Sequence, residues 1–254
     1  PLLSGGITKL PLTNQPIYKL QFYDRDDAYF TKSNFDYAGD FSFQKPEEYM
    51  MNAAEYGSIQ AMRDLALTYT AYNPKRAPNF EAANRWLEMA AAKGDGWSMH
   101  NLGYAYAYGN GVEQDVGKAV ELYLKAAKLD VAASQNNLGW AYYTGVGVPE
   151  SLSDAIYWIT KSAEHGEAFA YGSLCEISGA TDLFKNDPAE AVMWCGLAVE
   201  HLADGVAKNA AQAVYDEITK TASSDVLAEG AVQAQRWNAE HVTTSMRNVG
   251  DDLN

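Results

Sequence analysis

The chain of 254 residues is 47% apolar, carries a net charge of −14 and contains two cysteines. That apolar content supports a core and excludes wholesale disorder, while the acidity repels phosphate backbones and anionic membranes and so excludes nucleic acid as the main partner. No apolar run approaches the length of a membrane span, and two cysteines are too few for a disulfide framework or a four-cysteine zinc site.

The chain opens on Pro1 with no signal-like segment, so export is not legible from its start. Residues 1–45 show no helical period yet hold nine Tyr or Phe between Tyr18 and Phe43. We expect an irregular, aromatic-rich N-terminal arm lying against the first repeats; the other reading is a segment ordered only by a partner. Ser42 to Lys45 is formally S-x-x-K, as in penicillin-recognising enzymes. The companion S-D-N and K-T-G elements are missing, and Lys220 begins K-T-A, so the match is read as chance and a hydrolase ranks last. Asp24 to Asp27 lacks the glycine and distal glutamate of a calcium loop and reads as a solvated acidic turn.

From residue 46 a period takes over. The windows His100–Val112 and Asn136–Val148 agree at eight of thirteen positions with a shift of 36. A period of this size signals stacked supersecondary units. Leu65, Leu102, Leu138 and Leu174 form one column, followed by Ala66, Gly103, Gly139 and Cys175, and then by Tyr69, Tyr106 and Tyr142, with Ser178 as the degenerate fourth. A second element repeats as Ala83, Ala119, Ala155 and Ala191, with Trp86, Leu122, Trp158 and Trp194, and with Ala90, Ala126, Ser162 and Ala198. Offsets of three and four between columns place each set on one helical face.

Asn79, Asp115, Ser151 and Asp187 recur at the same stride, and each is a favoured N-cap worth ~1 kcal/mol. Pro188 and Glu190 strengthen the last start. Gly57, Gly94 and Gly166, with Asp130 once, stand where helices close in a left-handed residue. Each unit is therefore helix A, loop, helix B, giving about four hairpins over residues 46–202. Gly103 and Gly139 each cost roughly 0.5–1 kcal/mol relative to alanine inside a helix. We expect the missing side chain to let helix B lie backbone to backbone against helix A, matched by the small alanine columns.

The stretches "NLGYAYAYGNGVEQDVGKAVELYLKAA" (101–127) and "NLGWAYYTGVGVPESLSDAIYWITKSA" (137–163), with their paired-glycine loops, resemble the Sel-1-like repeat family of the tetratricopeptide superfamily. The resemblance covers about Glu47 to Leu202; the outer copies lack one or both loop glycines. It implies an all-α, right-handed α/α superhelix, or solenoid, of helix hairpins that serves as a protein-interaction scaffold. It also allows an immunity or regulatory role against a secreted effector.

Cys175 occupies the column of Gly103 and Gly139, and Cys195 falls one turn after Ala191. Both should face the seam of one hairpin, close enough for disulfide geometry. The alternatives are a bond in an oxidising compartment or two buried thiols in a reducing one. Cysteine in the glycine column tilts the reading toward the bond, and so toward a periplasmic or secreted bacterial protein rather than a cytoplasmic one. Beyond Leu202 two helices lack the motif, the second capped by Ser224. Residues 203–254 are expected to cap the array and end in a frayed tail.

Scattered histidines and the absence of H-E-x-x-H or C-x-x-C point away from an enzyme, a metal or a cofactor. A second face of helix A, off the core, gathers Trp97, His100, Tyr104 and Ala107, then Asn136, Trp140 and Tyr143, then Phe169 and Glu176, with Arg63 as the counterpart in the first unit. In stacked hairpins this face lines the concave groove, where aromatics with polar tips suit a protein or peptide partner. The competing reading is ordinary packing between successive A helices. An alternative function is binding of an envelope glycan or cell-wall polymer, since rings also stack on sugars.

Overall fold

The computed structural model describes residues 46–71, 77–181, 184–185 and 187–242, with the backbone alone at 46–49 and 242. The expected aromatic arm with Ser42 and Asp24, parts of the two outer loops and the C-terminal tail lie outside the described residues. Regular structure among the described residues is helical throughout: α1 (Pro46–Glu55), α2 (Ile59–Thr70), α3 (Phe80–Ala92), α4 (Gly96–Tyr108), α5 (Val116–Ala127), α6 (Ala132–Thr144), α7 (Leu152–Glu164), α8 (Ala168–Ala180), α9 (Pro188–His201), α10 (Val206–Thr221) and α11 (Ser224–Trp237). A π-helical turn, Asn238–Val242, follows α11.

The hairpins α2–α3, α4–α5, α6–α7 and α8–α9 are the paired A and B helices, and each B helix also packs on the next A helix. The caps act as their chemistry dictates. Side chains of Asn79, Asp115, Ser151 and Asp187 accept from the amides of Ala82, Lys118, Asp154 and Glu190. Gly57, Gly94, Gly166 and Asp130 all adopt positive φ. The recurrent Leu65, Leu102, Leu138 and Leu174 are buried, as are Ala83, Ala119, Ala155 and Ala191.

At the mid-helix glycines the close approach is real, but its form corrects the expectation of bare backbone contact. A Cβ on Gly103 would meet the Tyr123 ring at 2.9 Å and the Ala119 carbonyl at 3.2 Å. On Gly139 it would enter the envelope of Ile159 Cγ1 and lie 3.0 Å from the Ala155 carbonyl. The glycine is thus a hole for a helix-B side chain, with alanine bringing the backbone in behind it. The loops add contacts between repeats. Gly111 sits on the start of α3, 2.6 Å from the Glu81 amide for a built Cβ, and Gly147 sits likewise on Val116 and Val120 of α5.

Cys175 on α8 and Cys195 on α9 are joined in a disulfide, their Cα atoms 4.6 Å apart. After α9 the pattern changes. α10 packs on α8 and α9, and α11 lies chiefly against α9. Gly230 permits this: a Cβ there would be 2.7 Å from Val192 and 2.8 Å from the Ala189 carbonyl. Trp237, at the end of α11, meets Trp194 edge-on at 4.7 Å and donates to the Tyr171 hydroxyl at 3.4 Å. The N-cap of α11 is Ser223, whose side chain accepts from the Val226 amide, and not Ser224, which is its first helical residue.

Candidate functional site

The second face of the A helices is a continuous row, and side-chain hydrogen bonds join each helix to the next. Arg63 on α2 forms an ion pair with Asp95 before α4, Nε donating at 3.0 Å, and its guanidinium lies 5.8 Å from the centroid of the Trp97 ring. Burial alone would raise the Asp95 carboxyl; the bonds from Arg63 and Ser98 outweigh it and hold the group below the usual carboxylate range. His100 Nδ1 lies 2.8 Å from Ser134 Oγ on α6, and burial pushes the imidazole down to about 4. Trp140 Nε1 donates to Ser173 Oγ on α8 at 2.6 Å, and Ser173 donates in turn to Asn136 Oδ1 at 2.8 Å.

These bonds tie each A helix to the next along this face. Trp97, Tyr104, Trp140, Tyr143 and Phe169 remain partly exposed there, as do Arg63, His100 and Glu176. Tyr104 packs on Tyr108 with centroids 4.3 Å apart, and Trp140 meets Tyr143 edge-on at 5.3 Å. Burial, with Tyr104 adjacent, pushes Tyr108 up to about 12. Asn136 is buried and its amide is engaged in the seam, while Ala107 belongs to the core. The face is thus mixed: a polar seam beneath a partly open aromatic surface.

Asp95, Ser134, Ser173 and Tyr108 organise this face but were not singled out in the sequence. Ser134 shares a column with Ser98, and both are fully buried. A small hydroxyl recurring inside an apolar helix face was the available signal. Among the described residues no group of three or more His, Cys, Asp or Glu could hold a metal, and no helix is long and apolar enough to cross a membrane. The open depression bounded by Tyr106, Gln114, Asp115 and Lys118 lies at the loop end of the second hairpin, away from the row.

Stacked hairpins with a partly open face on their A helices define a helical repeat protein of the solenoid class. Sel1 repeat is the family that matches, over residues 59–95, 98–131, 132–167 and 168–201. The chain belongs to the Sel1 repeat family, which generally forms non-catalytic scaffolds for protein–protein interaction. Among solved structures it is similar to a protective antigen of uropathogenic Escherichia coli with an SLR fold, at 26% identity and a TM-score of 0.67, over 82% of this chain and 43% of that one. The chain thus spans less than half the length of that protein. It also matches a Sel1 repeat protein from Oxalobacter formigenes (34% identity, TM-score 0.44, 50% of this chain and 95% of that one). A third match is Helicobacter pylori cysteine rich protein B (22%, 0.39, 50% and 95%). No curated protein matches. The fold is the right-handed α/α superhelix that the family resemblance implied.

Proposed function

We propose that the inner face of the A helices binds a protein or peptide segment, without catalysis, through Trp97, Tyr104, Trp140, Tyr143 and Phe169 as anchors and Arg63, His100 and Glu176 as polar contacts, with Asn136 supporting the face from the seam beneath it. The observation that carries this reading is the row itself: aromatic side chains left partly exposed on successive helices, with Trp140 held by a cross-repeat hydrogen bond to Ser173 and Trp97 beside the Arg63 guanidinium of the preceding helix. A surface organised before binding loses little side-chain entropy on association, so a few anchors carry the affinity. Residues 46–202 form the binding array in this reading, and α10 and α11 close its end.

Affinity capture from the native source with wild type and with Tyr104→Ala/Trp140→Ala tests the face. The double variant should keep its helical circular dichroism and lose the captured species; an unchanged catch would remove the face from consideration. The Cys175–Cys195 bond supports a periplasmic or secreted location, since such bonds persist in oxidising compartments. A thiol count on unreduced protein from the native source should find none, and two free thiols would argue for the cytoplasm.

A further inference from the structure

Glu176 is anomalous within the row. It stands in the column of Tyr104 and Trp140, where α4 and α6 present rings. It is partly buried on α8, and no hydrogen bond or ion pair among the described residues engages its carboxylate. The register places it beside an aromatic pair. Trp140 on α6 bonds Ser173 on α8; three residues on along both helices come Tyr143 and Glu176. The Glu176 carboxylate is near enough to Tyr143 to raise the phenol, after the effect of burial itself. Trp140 and Tyr143 meet edge-on, so one ring face of the pair is turned away from the other.

A carboxylate half removed from water with no counter-charge among the described residues is unfavourable in the free protein, and burial pushes its pKa up. The same placement makes it a receptor for a cation. A guanidinium or ammonium entering here gains a charge-assisted bond to the carboxylate and a cation–π contact with the adjoining rings. Arginine suits the place better than lysine, because its plane stacks on a ring while its fork reaches the carboxylate. The net charge of −14 draws a basic segment toward the molecule from a distance.

We propose that Glu176, with Trp140 and Tyr143, forms a subsite for a cationic side chain, arginine before lysine, presented by the protein segment that occupies the inner face. This inference rests on the binding role proposed for that face. It names the chemistry of the occupant and the residue that selects it.

Selection of a phage-displayed random dodecapeptide library on the purified chain tests it. Wild type should enrich peptides with arginine or lysine at one fixed position. A synthetic copy of the leading peptide should bind Glu176→Gln about tenfold or more weakly, as expected for loss of a charged hydrogen bond. Replacing the fixed basic residue by norleucine should cost wild type a similar factor and cost Glu176→Gln little. Thermal melting of Glu176→Gln at neutral pH should match or exceed wild type, which separates lost recognition from lost folding. Winning peptides that lack a fixed basic residue, or that bind wild type and Glu176→Gln alike, would overturn the subsite while leaving the face intact if Tyr104→Ala/Trp140→Ala still abolishes them. Peptides indifferent to that double variant, or no enrichment at all, would overturn the face and the subsite with it.

Discussion

Gly139 shows how a single atom sets the geometry of a hairpin. In place of a side chain it holds Ile159, with the Ala155 carbonyl behind. Gly139→Ala should therefore destabilise the protein by about 1–3 kcal/mol through overpacking, despite the better helix propensity of alanine. Gly117→Ala, on the exposed start of α5 with nothing nearer than Asp115 at 3.5 Å, should instead be neutral or stabilise by ~0.5 kcal/mol. Denaturant unfolding of the two variants should show opposite signs. His100 titrates in the seam above the range of the Asp95 carboxyl, which Arg63 and Ser98 hold below the usual carboxylate range. Its folded pKa lies below its unfolded value, so the unfolded state binds more protons between roughly pH 6.5 and 4 and stability falls as pH drops through that window. His100→Gln, which keeps a polar group toward Ser134, should flatten that slope. The difference between wild-type and variant unfolding free energies at pH 7.5 and 4.5 measures it, and parallel curves would show that His100 does not contribute.

At the scale of elements, the helix starts were legible because each N-cap satisfies its own helix within three residues, a strictly local contact. The four caps from Asn79 to Asp187 act as their side chains require. Ser223 and Ser224 are neighbours of the same chemistry, and only the backbone decides which one caps α11. The fourth hairpin carries a covalent tie where the central two carry a glycine contact. Reduction, or Cys175→Ala/Cys195→Ala, should cost ~3 kcal/mol in the chain-entropy model for a closed loop of this length. Melting with and without reductant measures the effect, which should be absent from the double variant. The path of α11 was not legible. Its residues match no column, and Gly230 acquires meaning only once Val192 and Ala189 are seen beneath it.

The whole molecule behaves as a quasi-linear array, since each hairpin touches mainly its neighbours. Stability is then a sum of local terms, and α4–α7, with hairpins on both sides, should exchange their amide hydrogens most slowly. α1, packed chiefly on α2 among the described residues, should exchange fastest; uniform protection along the chain would show a single cooperative unit instead. Four Sel1 repeats follow from the sequence by itself, because a constant stride of apolar columns, caps and glycines admits one periodic packing. The aromatic face was half legible: the columns located its residues, but not which of them are held in the seam. Asn136 turns inward onto Ser173 while Trp140 stays partly open, though both were candidates on the same terms. That choice, the isolation of Glu176 and the return of α11 onto α9 depend on what the adjacent helix presents. Such contacts join residues about 35 or more positions apart, beyond the reach of any local rule, so only the tertiary structure decides them.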